Sequence, residues 1–180
     1  MTATFSRRAA LAGFAGMAAL TGVNAAARAQ PAAAGAAAPS LADQLAGYVH
    51  DIGYGDLGAP VVELVKAHFI DSIGCAIGAF NEPPVRAVRD VALQNHGDAA
   101  TLIGTARRTT MDWATFANGA ALRHFDLNDA YAGREVGHPS DNITPCLAVA
   151  EAEGRGGQDL ILAIALAYEI DCRLLDAVQI

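Results

Sequence analysis

The chain has 180 residues, 53% of them hydrophobic, and its 12 Lys and Arg against 19 Asp and Glu give a formal net charge of −7. That length allows one domain with a real core, while an acid excess and a single lysine, Lys66, exclude nucleic acid, which needs clustered cations. Cys75, Cys146 and Cys172 are widely spaced and form no C-x-x-C, so their spacing argues against a zinc knuckle or iron–sulfur cluster and each thiol reads as buried and free.

Residues 1–29 carry a basic front at Arg7 and Arg8, an uncharged run from Ala9 to Ala27, and the small-x-small triplet Ala27-Arg28-Ala29. This is the layout of an export signal. Ser6-Arg7-Arg8 followed by Leu11 resembles a twin-arginine signal, although Ala10 stands where such signals often carry Phe. The run is too weakly hydrophobic for a stable membrane span. The expectation is a periplasmic or secreted protein that engages the twin-arginine export machinery, or a cytoplasmic one if the signal is not used. Without Arg7, Arg8 and Arg28, 9 cations face 19 acids. Residues 30–40 read as an Ala/Pro-rich linker.

Ser40-Leu41-Ala42-Asp43 is an S-x-x-D capping pattern, and Leu41, Leu45, Val49 and Ile52 predict an amphipathic helix over 41–52. Gly53 to Gly58 break it, and Pro60 suits the first turn of a helix that keeps its period to about Phe80. Gly74 and Gly78, four apart on that helix, predict a close approach by another helix. A short helix is expected over 85–95, and "ATLIG" reads as a weak strand or extended link. Thr109 or Thr110 is placed to cap a helix running to about His124. The next helix is expected from Pro139 through Glu153. After Gly154, Gly156 and Gly157 a last helix is expected to run into residue 180. The predicted class is all-α, built like a helical bundle. A helix with no stop signal at the end of the sequence predicts the front part of a longer protein.

Between two alanine-rich helical runs lies "RHFDLNDAYAGREVGHPSDN", residues 123–142. Asp126 falls at the end of one predicted helix and His138 just before the start of the next. A connection that bends back would bring them together beside the second helix's free N–H groups, which favour a carboxylate. Imidazole exchanges protons at neutral pH, and an aspartate accepts a proton, holds a hydroxyl or orients the ring. Such a pair suits moving a proton beside a carboxylate. Ordinary helix caps with solvated charges explain the same residues. A calcium loop starting at Asp126 fails at Ala130, Tyr131 and Gly137. A zinc site lacks a second histidine at i+4. Ser140 has no G-x-S-x-G around it and reads as a cap rather than a nucleophile.

"NGAALRHFDLNDAYAGREVGHPSDNITPCLAVAEAEG" resembles the signature of the MmgE/PrpD family, supported by "VVELVKAHFIDSIGCAIGAF" and "GQDLILAIALAYEIDCRL". The likeness covers residues 41–180, and the spacing in "FDLND…GHPSDN" is closer to the dehydratase branch. It implies a large helical domain, of which residues 41–180 are the N-terminal portion with the lid domain absent, usually in a homodimer. It implies lyase action, loss of water or else of carbon dioxide, on di- and tricarboxylates such as a 2-methylcitrate-like acid, without metal or organic cofactor. Asp126 and His138 match catalytic positions. Asp129 matches a further acidic position, and with Arg134 and Ser140 is assigned to substrate binding. Ala130 stands where some members carry threonine, so a hydroxyl contact used there is missing. Other catalytic cations of the family are expected beyond residue 180. Two further readings stay open: an exported carboxylate-binding protein on this scaffold, and an inactive fragment.

Overall fold

The computed structural model describes residues 38–178, so the expected leader (1–29) and most of the linker (30–40) lie outside the described residues. The helices are α1 (Leu41–Asp51), α2 (Ala59–Gly78), α3 (Pro83–Ala92), α4 (Met111–Arg123), α5 (Ile143–Ala152) and α6 (Gly157–Ala177). Two antiparallel ladders of two-residue strands complete the order: β1 (Ala100–Thr101) with β2 (Arg108–Thr109), and β3 (Tyr131–Ala132) with β4 (Val136–Gly137). Short 3-10 turns occupy Tyr54–Asp56 and Pro139–Asn142. The all-α class stands. Among the described residues no helix is long and apolar enough to cross a membrane.

The chain divides inside α1, and Tyr48–Ile180 is a compact unit of its own. At the head of α1 the capping pattern is realised: Ser40 N–H donates to Asp43 Oδ2 at 3.0 Å and Asp43 N–H donates to Ser40 Oγ at 3.1 Å. The Ser40 hydroxyl, which donates to Asp43 Oδ2 at 2.7 Å, and after it the Ser40 N–H hold the Asp43 carboxyl below its ordinary range. In the larger unit, α4 is central. Its alanines Ala114, Ala117 and Ala121 are buried, and their small size lets α2, α3 and α5 come close. A Cβ at Gly119 would stand 3.4 Å from Thr144 Oγ1 of α5, which marks how near these two helices pass. Val65 of α2, Ile143 of α5 and Ile164 of α6 form a second core with Phe69 and Tyr168 against it.

Four expectations change. The last helix ends at Ala177, and Val178 is already extended, as the unpaired carbonyls of a final turn allow. Gly74 and Gly78 meet no neighbour within 4 Å among the described residues, because that side of α2, with Ile70 and Ile77, faces outward. The three thiols are half-buried rather than fully buried. Burial still raises each of them, Cys172 to about 11 with help from Asp171. Thr110 takes the N-cap position of α4, but its hydroxyl bonds the Asp112 side chain instead of the helix backbone.

Loop 97–110 is stitched to the helices by buried polar side chains. The Thr109 hydroxyl reaches the carbonyls of Ala92 and Asn95 at 2.9 and 2.8 Å. The Asn118 amide, on α4, accepts from Ile103 N–H and donates to Thr101 C=O, both at 2.9 Å. Gly104 turns the loop at φ 80°, with the Phe80 ring where a Cβ would project.

Candidate active site

Helix α4 stops at Arg123, and the chain turns sharply: Asp126 has φ 54°, the left-handed region that Asp tolerates better than most residues. The turn aims the Asp126 carboxylate outward, 71% exposed, with Arg123 2.9 Å from its Oδ1. The β3–β4 hairpin then folds the connection on itself, pairing Tyr131 with Gly137 and Ala132 with Val136. Its effect is to lay Asn128 and Asp129 beside His138 and Ser140. The 3-10 turn Pro139–Asn142, with Pro139 and Ser140 buried, leads into α5.

His138 is the centre of what results. Its Nδ1 lies 2.7 Å from the main-chain carbonyl of Asp129. A carbonyl only accepts, so Nδ1 carries the hydrogen and Nε2 is the lone-pair nitrogen of the neutral ring. Nε2 points to Asp126, 3.8 Å from Oδ1. Sequence reasoning expected this meeting, and the hairpin is what makes it.

Around the pair, each oxygen of Asp129 has its own neighbour. Oδ1 accepts the Ser140 N–H at 2.9 Å, and Oδ2 stands 3.6 Å from His68 Nδ1 of α2. Ser140 is 1% exposed, and its hydroxyl accepts from the Asn128 amide at 2.8 Å. Asn128 in turn accepts from Arg123 at 3.2 Å. Ser140 therefore sits inside the loop's own network rather than on its open side. Arg134 is exposed in the turn of the hairpin and makes no ion pair among the described residues. Asp141, half-exposed and 3.5 Å from Arg123 Nε, is pushed above the ordinary carboxyl range by burial, with Arg123 opposing. The ring of Tyr168, on α6, lies tilted against His68 with centroids 5.3 Å apart, and its buried hydroxyl, near Asp129 and Ser140, makes no hydrogen bond of good geometry among the described residues. Burial first, then the nearby Asp129 carboxylate, raise that phenol and keep it protonated.

Asn128, His68, Tyr168 and Asp171, whose Oδ2 accepts from Asn142 at 3.1 Å, were not singled out from the sequence. Asn128 had a signal, as the amide inside Asp-Leu-Asn-Asp. His68 and Tyr168 had none, since each sits in an apolar helical run like any core residue. Among the described residues no group of three or more His, Cys, Asp or Glu is placed to hold a metal ion. A hollow of about 270 Å³ lies elsewhere, lined by residues from 93–98 and 106–108, where Asp98 pairs with Arg108. The chemistry of residues 123–142 argues for the open His138 surface over that hollow.

Residues 43–180 match the family model of the MmgE/PrpD N-terminal domain. The chain is 27% identical over 141 residues to the probable 2-methylcitrate dehydratase of Saccharomyces cerevisiae, covering 70% of this chain and 27% of that protein. It is 28% identical over 120 residues to the mitochondrial 2-methylcitrate dehydratase of Yarrowia lipolytica, covering 66% and 23%. To the 2-methylcitrate dehydratase of Salmonella typhimurium it is 32% identical over 89 residues, covering 47% and 18%. The chain thus spans about a quarter, or less, of the length of these curated relatives.

Proposed function

The chain belongs to the MmgE/PrpD family, and on that premise we propose that it carries the His138–Asp126 side of a lyase active site that removes water from a small tricarboxylate, a 2-methylcitrate-like acid. The names of its relatives support the reaction class. The observation that carries the residue assignment is the anchored imidazole: Nδ1 is held by the Asp129 carbonyl while Nε2 faces a carboxylate at 3.8 Å.

Dehydration takes a weakly acidic C–H proton beside a carboxylate and expels a hydroxyl as water. His138 Nε2 exchanges the proton. The proton lost from carbon is balanced by the one the hydroxyl takes up to leave as water; Asp126 accepts a hydrogen bond from that hydroxyl or steadies the imidazolium, since 3.8 Å is too long for a direct hydrogen bond and leaves the two groups free to bind a third. The growing enediolate-like charge requires cations. Beside His138 the guanidinium of Arg123 is already engaged by Asp126 and Asp141. The substrate's own carboxylates are therefore met from outside this cluster, with Arg134, which makes no ion pair among the described residues, the cation nearest in sequence. Export through residues 1–29 and assembly as a homodimer belong to the same reading, on sequence and family likeness.

The test is turnover of a panel of 2-hydroxy tricarboxylates by the whole protein, with His138→Ala and Asp126→Ala alongside. Loss in both variants is the expected result. Wild-type rates in both remove these residues from the chemistry, and binding measured by calorimetry without product would favour a carboxylate-binding protein.

A further inference from the structure

We infer that Asp129 is a positioning residue that aims His138, rather than a contact for substrate, and that His68 on α2 completes the device; this rests on the lyase reading only where turnover is measured. Among the described residues the His138 ring has one hydrogen bond, and it is to the main chain of Asp129. The direction of the imidazole therefore follows wherever that carbonyl is put.

Asp129 is fixed through its side chain. Only 15% of that side chain is exposed. Oδ1 is tied to the N–H of Ser140, two residues past the histidine it holds. Asp129 and the 138–140 segment thus clasp each other twice, once main chain to ring and once side chain to main chain. Oδ2 faces His68 Nδ1 at 3.6 Å, an ion-pair separation when that imidazole is protonated. His68 is itself steadied by Tyr168 of α6. The aim of His138 is thereby referred to two helices, α2 and α6, that lie outside the loop. With Oδ1 tied to Ser140 N–H, Oδ2 turned to His68 and the side chain only 15% exposed, Asp129 has little left to offer a substrate. A misplacement of about 1 Å in a reacting group is enough to lower a rate on the order of 100-fold, which is why such a brace matters.

The first measurement needs no variant and no substrate. Two-bond proton–nitrogen correlation on the labelled 180-residue chain reads the tautomer of His138. The expected pattern is Nδ1–H, the opposite of the free side chain's preference; a predominant Nε2–H form overturns the inference. In Asp129→Ala the Nδ1–H preference falls, and Asp129→Asn, which keeps an acceptor for Ser140 N–H, recovers it. His68→Phe retains the ring against Tyr168 and loses the nitrogen, so a partial fall is expected; an unchanged spectrum there removes His68 from the device. In turnover, Asp129→Ala lowers kcat about 10- to 100-fold with KM nearly constant. A raised KM at constant kcat makes Asp129 a substrate contact and overturns the inference. Circular dichroism checks the helices of each variant, and should Asp129→Ala not fold, the wild-type tautomer and Asp129→Asn still decide. A protein that turns over no tricarboxylate but shows the tautomer pattern loses the lyase reading and keeps the brace.

Discussion

Loops 97–110 and 123–142 both enter helices, and both are pinned by a buried amide, Asn118 in one and Asn128 in the other. In the first, the polar groups close on each other: Asn118 clamps two backbone groups and Thr109 caps two carbonyls. In the second, similar clamps leave chemistry over. His138 keeps a free nitrogen, Asp126 projects into solvent from a left-handed backbone, and the buried Tyr168 hydroxyl makes no hydrogen bond of good geometry among the described residues. Buried amides and hydroxyls therefore do not mark a site by themselves. The mark is a titratable group that a satisfied network holds but does not use up.

The sharpest way to break this contrast is His138→Ala. Turnover is expected to fall by about 100-fold or more, with the melting temperature nearly unchanged, because the ring is partly exposed and supports no core. Asn118→Ala should do the reverse. It leaves Ile103 N–H and Thr101 C=O without partners, for a loss of about 2–3 kcal/mol in urea unfolding, with turnover intact below the transition. Gly104→Ala is expected to lower stability by about 1–3 kcal/mol, from a φ that L residues resist and from contact with Phe80.

Asp126→Gly sharpens the contrast from the other side. Glycine accepts φ 54° freely, so folding stability should stay level or rise by up to about 1 kcal/mol, while turnover is lost. The smallest effect is expected at Asp141. Its folded pKa is raised above the unfolded value by burial, so the native state holds the proton longer. That favours folding at low pH, and the contribution disappears as pH climbs through the ordinary carboxyl range to the raised one. Asp141→Asn should flatten that slope in a pH series of urea midpoints; a steeper one contradicts the assignment.

Much of this was legible in the sequence. The helices follow from apolar period, Pro60 and the glycine breaks, and Ser40-Leu41-Ala42-Asp43 announced its cap. The meeting of Asp126 and His138 followed from two helix ends joined by one connection. The hairpin was not legible, because Gly133-Arg134-Glu135 carries none of the Asn-Gly or Asp-Gly turn chemistry that signals one. Nor was His68. Its contact with Asp129 is made by helix packing across a long stretch of chain, and local spacing does not encode that. The outward glycines of α2 failed for the same reason: composition predicts a small surface, not what lies over it.

The histidine's tether is a peptide oxygen. Every amino acid at position 129 brings that oxygen along, so no replacement there deletes the tether; it can only be moved. Variation at 129 should then detune the proposed activity by degrees instead of abolishing it, and relatives that differ at this position would retain the chemistry while differing in speed.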